Sequence, residues 1–482
     1  MREDTMMSTM GRRAKYAASA LAERYPSRTR ALAEPPAGSE LRPILGDYGL
    51  PVIGHALPAM TDNLDFARRR FEKYGSVQWS GLLGRQVVMV VSPEAIEEVL
   101  ADRDKVYSAK GGYDFFIGPF FRGGILLRDF DEHRYHRRIL QQAFTRPRLV
   151  GYLDITTPAI ARGMDDWLPA NDFQLFPATK HLLLRMASEV FMGARLGPEA
   201  ARLERAFIDA VRGGQALVRT NLPGGVWAKG LRGRKVLEDY CRREMPARRA
   251  GTGDDLFSVL CHTASDEGHT FTDQDIVDHL IFVLMAAHDT STIALAMMGY
   301  QLGLHPEWQD RLRAESQALG KDSLDYDDLD RLPALDLVFK EILRMYSPVG
   351  QQIRETVRDT AIQGHFLPAR TLVVIGSHSA MRIDRWWHDP DVFDPERFTA
   401  ERQEDKSHRY VWAPFGGGAH KCIGLYFGGM TVKAIMHRML LHYRWSVPAG
   451  YVPPMGWATG PIPLDGLPIQ LQAARVETRR PA

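Results

Sequence analysis

From Ile276 to Leu304 the chain is apolar at nearly every position, in the runs IVDHLIFVL and IALAMMGYQL. The exception is the centre, where MAAHDTST (Met285 to Thr292) places an acid and several hydroxyls. An element apolar all round predicts a buried core helix. It runs from Asp273 to about Leu304, roughly 45 Å at about 1.5 Å per residue. Thr272 and Asp275 have the spacing of a capping box that opens it. Asp278, His279, His288 and Asp289 argue against a bilayer span. A buried carboxylate is expensive unless it is paired or employed, so the central polar patch needs a reason.

Elsewhere the pattern changes period. GSVQWSGLLGRQVVMVVS alternates and carries valine runs between glycine turns, which predicts strands. From Pro93 to about Ser347 the spacing is helical. Strand signals return between Thr356 and Ser377, and short strands with proline turns follow from Trp445. The expected class is mainly α with a smaller β region, and no repeat is visible. Residues 1–45 read as an N-terminal arm ending in proline-rich turns, and residues 46–482 as a single domain. The arm lacks the roughly 20 apolar residues of a membrane span. It reads as a solvated leader, or as a short basic amphipathic helix making peripheral membrane contact.

Composition narrows the function. The 482 residues carry 61 basic and 59 acidic side chains, a net charge of +2, which implies no nucleic-acid surface. Three cysteines, Cys241, Cys261 and Cys422, stand far apart without a CxxC. That excludes a disulfide scaffold or a zinc knuckle and fits a reducing cytoplasm.

One cysteine lies in APFGGGAHKCIGLYFGG, Ala413 to Gly429. Successive glycines permit a tight turn and close backbone approach. A cysteine before a helix N-terminus feels the positive end of the dipole, which favours thiolate. A single thiolate suffices as axial ligand of haem iron. Phe415, Gly416, Gly418, His420, Cys422 and Gly424 together resemble the haem-binding signature of the cytochrome P450 family. The resemblance extends from about residue 45 to about residue 470. Glu341 and Arg344 in FKEILRMYSP resemble the family's ExxR helix, and Arg397 in FDPERF its third partner, a trio that supports the thiolate loop. His133 and Arg137 in EHRYHRRILQQAF, with Arg354 and His420, match positions that hold the haem propionates. The implied fold is a triangular helical prism with haem b (iron protoporphyrin IX) between the long central helix and the cysteine loop.

MAAHDTST in turn resembles the family's distal helix segment. The resemblance implies that Thr290 holds a hydrogen-bond network where O2 is activated and that Asp289 relays protons as a general acid. A structural ion pair is the plainer role for Asp289. Departures from the family are Ala287 for glycine, Gly428 and Thr431 for Ala and Glu, and Arg370 for glycine in the turn LPAR. SAKGGYDFFIGPFFRGGILL reads as a glycine-hinged aromatic loop over an apolar cavity. Phe115, Phe116, Phe120 and Phe121, with Phe282, Met285 and Ala286, are the pocket candidates. The implied activity inserts one oxygen atom from O2 into a hydrophobic sterol, terpenoid or fatty-acyl substrate. The layout is nearest the branch containing bacterial sterol 14α-demethylases. Electrons are expected from a separate ferredoxin and ferredoxin reductase, docking on Arg134, Arg138, Lys421 and Lys433. The setting is that of a soluble bacterial enzyme. A haem sensor or carrier without turnover, and a peroxide-driven enzyme, are the alternatives.

Overall fold

In the computed structural model, which describes residues 18–193, 197–214, 216, 218–457 and 460–474, the alternating stretch after Ser76 folds into the expected hairpin. Val77–Leu82 pairs antiparallel with Arg85–Val90. These are β3 and β4 of a seven-stranded sheet. Its other members are β1 (Arg30–Ala31), β2 (Leu45–Asp47), β5 (Tyr107–Ser108), β6 (Gln352–Thr356) and β7 (Leu372–Ile375). The spatial order is β1-β2-β3-β4-β7-β6-β5, with β4 and β7 parallel. Trp79, Val88, Val90, Val373 and Ile375 pack on Ile96 and Val99 of helix α1 (Pro93–Ala101). Ser92 caps α1 by accepting the Ala95 N–H at 3.2 Å. The sheet lies in a compact unit of Met1–Tyr113, Leu343–Cys422 and Met455–Ile462. Arg30–Ala31 of the N-terminal arm belongs to this sheet, because β1 pairs with β2. Residues 18–23 are helical, and the arm before them lies outside the described residues.

Where the sequence suggests a hinged loop over Ser108–Leu127, the chain forms helix α2 (Ala109–Phe121) and a 3-10 turn at Ile125–Leu127. Glycine is used there for proximity rather than hinging. A Cβ on Gly112 would fall 2.7 Å from the Ile353 carbonyl.

A second unit comprises Asp114–Ile342, Ile423–Pro454 and Pro463–Ala482. Its helices include α3 (Phe130–Leu140), α4 (Leu175–Met192), α5 (Pro198–Gly214), α6 (Val226–Ala250) and α7 (Asp273–Leu304). α8 (Pro333–Met345) and α9 (Leu425–His442) follow in the chain. α7 starts and ends as the apolar pattern predicts, and the Thr272–Asp275 capping box is present in both directions. It is long and apolar enough to cross a bilayer, but most of it is buried in protein. The terminal strands form a small sheet in which Tyr443–Ser446 and Ala170–Gln174 flank Pro468–Ala473.

Two departures from the family pattern have local costs. Arg370 sits at φ 57, the left-handed region that favours glycine. Gly428 lies inside α9, and a Cβ there would meet open space. Arg370→Gly and Gly428→Ala are each expected to raise stability by about 1 kcal/mol, from backbone strain and helix propensity respectively. Chemical denaturation of the single variants measures this; a loss of stability in either contradicts the assignment.

Candidate functional site

The cysteine loop is shaped by glycines at Gly416 (φ 65) and Gly418 (φ 61). A Cβ on Gly418 would fall 1.7 Å from the Leu100 carbonyl oxygen, so only glycine fits. The Cys422 N–H donates to Phe415 O at 3.0 Å, and the Lys421 N–H to Gly418 O at 3.2 Å. These bonds hold Cys422 exposed, three residues before α9, whose N-cap is Gly424. The other two cysteines are buried. Burial pushes the Cys241 thiol up to about 12 and the Cys261 thiol up to about 11. Cys422 is therefore the cysteine able to present a sulfur to a ligand. No cluster of metal-binding side chains occurs among the described residues. A lone displayed sulfur on a closely packed glycine turn fits an iron whose other ligands come from a macrocycle.

Arg354 on β6 is buried and donates to Ile353 O at 2.9 Å. Beside it, the Tyr113 hydroxyl accepts the Ile353 N–H at 3.2 Å. Burial raises the Tyr113 pKa, and the Arg354 charge opposes the rise. A buried guanidinium has the chemistry to receive a carboxylate such as a propionate. His420 is half-buried in the turn Gly418–His420. On α3, His133 is buried and Arg137 half-buried, while Arg134 and Arg138 are exposed. The helix thus divides its basic residues between an inner and a solvated face, as the spacing predicts. Arg138 pairs with Glu267 at 2.6 Å. Lys433, expected at a docking surface, is instead buried, with Nζ 2.5 Å from Asp336 and 3.1 Å from Leu329 O. Its charge is already paired with Asp336.

Glu341, Arg344 and Arg397 are all fully buried. Arg344 donates to the carbonyls of Met381 (2.9 Å), Pro390 (2.7 Å) and Val392 (3.3 Å). Arg397 donates to His388 O at 2.8 Å and to the same Val392 carbonyl at 3.1 Å. It also pairs with Glu404 at 2.8 Å, a carboxylate that the sequence reading did not single out. Two guanidiniums thus fix the chain between Met381 and Glu404, upstream of the cysteine loop.

α7 is buried on both sides of its centre, but from Met285 to Thr290 exposure reappears and Ala286 is open. The Thr290 hydroxyl donates to Ala286 O at 2.7 Å, one turn back, and the helix remains continuous. Asp289 accepts from Lys180 of α4 at 3.0 Å, and His288 Nδ1 lies 3.0 Å from the same oxygen. Burial opposes ionisation of Asp289, yet His288 and Lys180 outweigh it and hold the pKa down to about 2. The sequence gives no sign of Lys180, which lies 109 positions earlier. Because folding lowers this pKa, the pair adds stability above the ordinary carboxylate value and loses it as pH falls toward 2. The stability gap between wild type and Lys180→Met should therefore shrink between about pH 6 and about pH 3. A gap that widens in denaturation at the two pH values contradicts the pairing.

The aromatic candidates separate. Phe115 and Phe116 are exposed, and Phe121 is buried. Phe120 is a packing residue: it is buried against Trp227 at 4.8 Å and fills the space beside Gly213 and Gly230. Phe282 packs on Gly124, where a Cβ would fall 2.5 Å from its ring. Met285 and Ala286 stay accessible on α7.

A displayed thiol on a glycine turn, followed by a helix and preceded by a buried arginine scaffold, is compatible with a haem-thiolate site. A profile of the cytochrome P450 family matches residues 45–459. The chain is 44% identical over 448 residues to cytochrome P450 136 of Mycobacterium tuberculosis, covering 92% of this chain and 91% of that protein. It is 26% identical over 433 residues to cytochrome P450 120 of Synechocystis, covering 89% and 96%. The solved structure of retinoic acid bound cyanobacterial CYP120A1 matches with TM-score 0.80 and 25% identity, over 89% of this chain and 98% of that one. The chain belongs to the cytochrome P450 family, with haem b as cofactor and monooxygenase chemistry as its activity. These relatives establish the family and not the sterol 14α-demethylase branch expected from the sequence.

Proposed function

We propose that this P450 oxidises an elongated hydrophobic molecule of terpenoid, sterol or fatty-acyl type in the cytoplasm, with electrons from a separate ferredoxin and ferredoxin reductase. Residues 46–482 act as one catalytic domain in this reading. The observation that carries the chemistry is Cys422, exposed on its glycine turn while the other cysteines are buried. Cys422 would ligate the iron, with Phe415 and Gly424 shaping its loop and His133, Arg137, Arg354 and His420 receiving the propionates. When bound, haem supplies reductive activation of O2 and transfer of one oxygen atom. The retinoic acid held by CYP120A1, an isoprenoid acid, favours the terpenoid end of the substrate range. Exposed Phe115 and Phe116 offer apolar surface. Lys421 is exposed, as are Arg134 and Arg138, whose surface pairs with Asp131 and Glu267 an acidic donor would exchange.

The protein's own residues then divide the proton work. Thr290 directs its proton to Ala286 O, leaving its oxygen to accept from water or substrate oxygen. The Asp289 carboxylate, held ionised by His288 and Lys180 against its burial, would accept a proton and pass it on. A passive haem carrier needs no such arrangement. Thr290→Ala is expected to lower the fraction of electrons appearing in product by about tenfold or more, with haem content unchanged. NADH consumption against product formation measures it, and wild-type coupling in the variant would remove the role. Substrate class is tested by titrating isoprenoid acids, sterols and fatty acids for the low-to-high-spin shift. No response to any apolar class overturns the reading.

A further inference from the structure

One face of α7 changes character along its length. Asp278, Phe282, Ala286 and Thr290 follow one another at i,i+4 spacing and therefore share that face. Ala286 is exposed and Thr290 half-buried, while Phe282 (7% exposed) and Asp278 (6%) are covered. The cover is the segment that leaves α2, residues 120–124. A Cβ on Gly124 would meet the Phe282 Cβ at 2.6 Å, and one on Gly123 would collide with the Asp278 carboxylate. Only bare backbone seats there. The open part of the face, from Thr290 back to Phe282, is about two turns, about 12 Å at about 1.5 Å per residue.

A charge cluster centred on α6 holds this cover in place. Arg234 is 3% exposed, and its guanidinium serves three acceptors on three elements. Nε donates to Glu238 of the same helix at 2.6 Å, Nη1 to Phe120 O at the end of α2 at 3.1 Å, and Nη2 to Asp278 of α7. Glu238 is buried too, and is met at its rim by Arg122 of the cover (3.1 Å) and by Arg242 (3.6 Å). On the other side Arg128 donates to Gly123 O and to Asp275 of α7, both at 2.9 Å. A buried ion cluster adds little net stability, because desolvation offsets the attraction, and its best-attested use is to fix one arrangement. Here the arrangement fixed is a short backbone segment against α7.

We propose that Arg234 is a positioning residue that sets the length of the substrate cavity, by seating residues 120–124 as an end wall one turn from Ala286. This rests on the monooxygenase reading, with the substrate lying along the open face of α7. A chain that fits between Thr290 and Phe282 is accepted, and a longer one abuts the wall.

The test titrates the haem-loaded protein with alkylimidazoles from butyl to dodecyl, whose ring ligates the iron whatever the natural substrate. Wild type is expected to show an affinity maximum at an intermediate chain. Arg234→Lys keeps the charge but cannot span three acceptors. Gly124→Ala removes no charge but cannot seat on Phe282. Both are expected to move the maximum to longer chains, with a gain of about fourfold in affinity for each further methylene admitted, and to leave butyl binding unchanged. A merely structural cluster would lower Tm in these variants without moving the maximum. A maximum at the wild-type length in either variant, or a wild type whose affinity rises steadily to dodecyl, overturns the proposal. Failure of sterols, isoprenoid acids and fatty acids to shift the spin state would instead remove the substrate reading, and the imidazole series would still report the wall.

Discussion

Cys422→Ser is expected to abolish the red-shifted ferrous–CO band of a thiolate haem and to cut monooxygenase turnover by more than about 100-fold. Even outer partners of a metal ligand are worth about 10–100-fold, so the ligand itself exceeds that range. The substitution is nearly isosteric. The backbone bond from residue 422 to Phe415 O and the glycine turn at Gly416 and Gly418 do not depend on the sulfur. The fold should therefore survive, and the effect should be chemical. Cys241→Ser and Cys261→Ser supply the control. Both thiols are buried and held protonated, so these variants should lose some stability and keep the band. A Cys422→Ser protein with the wild-type spectrum would remove the ligand assignment.

Arg397→Ala should do the opposite, damaging the fold rather than the electronic character of the site. Arg397 is fully buried and satisfies Glu404 and the carbonyls of His388 and Val392. Its removal strands those oxygens and leaves Glu404 paired with Arg402. Breaking a buried pair in this way costs about 3–5 kcal/mol. Arg344→Ala should cost a similar amount, since three carbonyls depend on it. Lysine should not rescue either site, because one ammonium cannot reproduce a planar fork of donors. Chemical denaturation with haem retention measures the effect. A loss below about 1 kcal/mol, the value of an exposed pair, would show that these arginines are not the scaffold.

How far the sequence was readable depends on the range of the interaction. The α7 helix, its Thr272–Asp275 cap and the β3–β4 hairpin are local patterns, and each formed where period and turn residues put it. The hydroxyl bond from Thr290 to Ala286 is likewise one turn long. The cysteine loop was legible because its glycines and its sulfur lie within ten residues. Long-range partners were not. Lys180 meets Asp289 only through the packing of α4 on α7, and nothing near MAAHDTST announces it. Phe120 shows the same limit, since an aromatic beside glycines suits a cavity wall or a core equally. Only the approach of Gly213 and Gly230 decides it. Lys433 looks like a surface cation in the sequence, but it is buried and paired with Asp336, 97 positions earlier. Arg370 was recognised as a departure, and its positive φ supplies the reason glycine is common there.

Monooxygenase chemistry is tested most directly by turnover of a spin-shifting substrate under isotopically labelled dioxygen, with a surrogate ferredoxin system and mass spectrometry of the product. One labelled oxygen atom per product molecule is expected. Product oxygen derived from water, or electron consumption with no oxygenated product from any spin-shifting substrate, would contradict it.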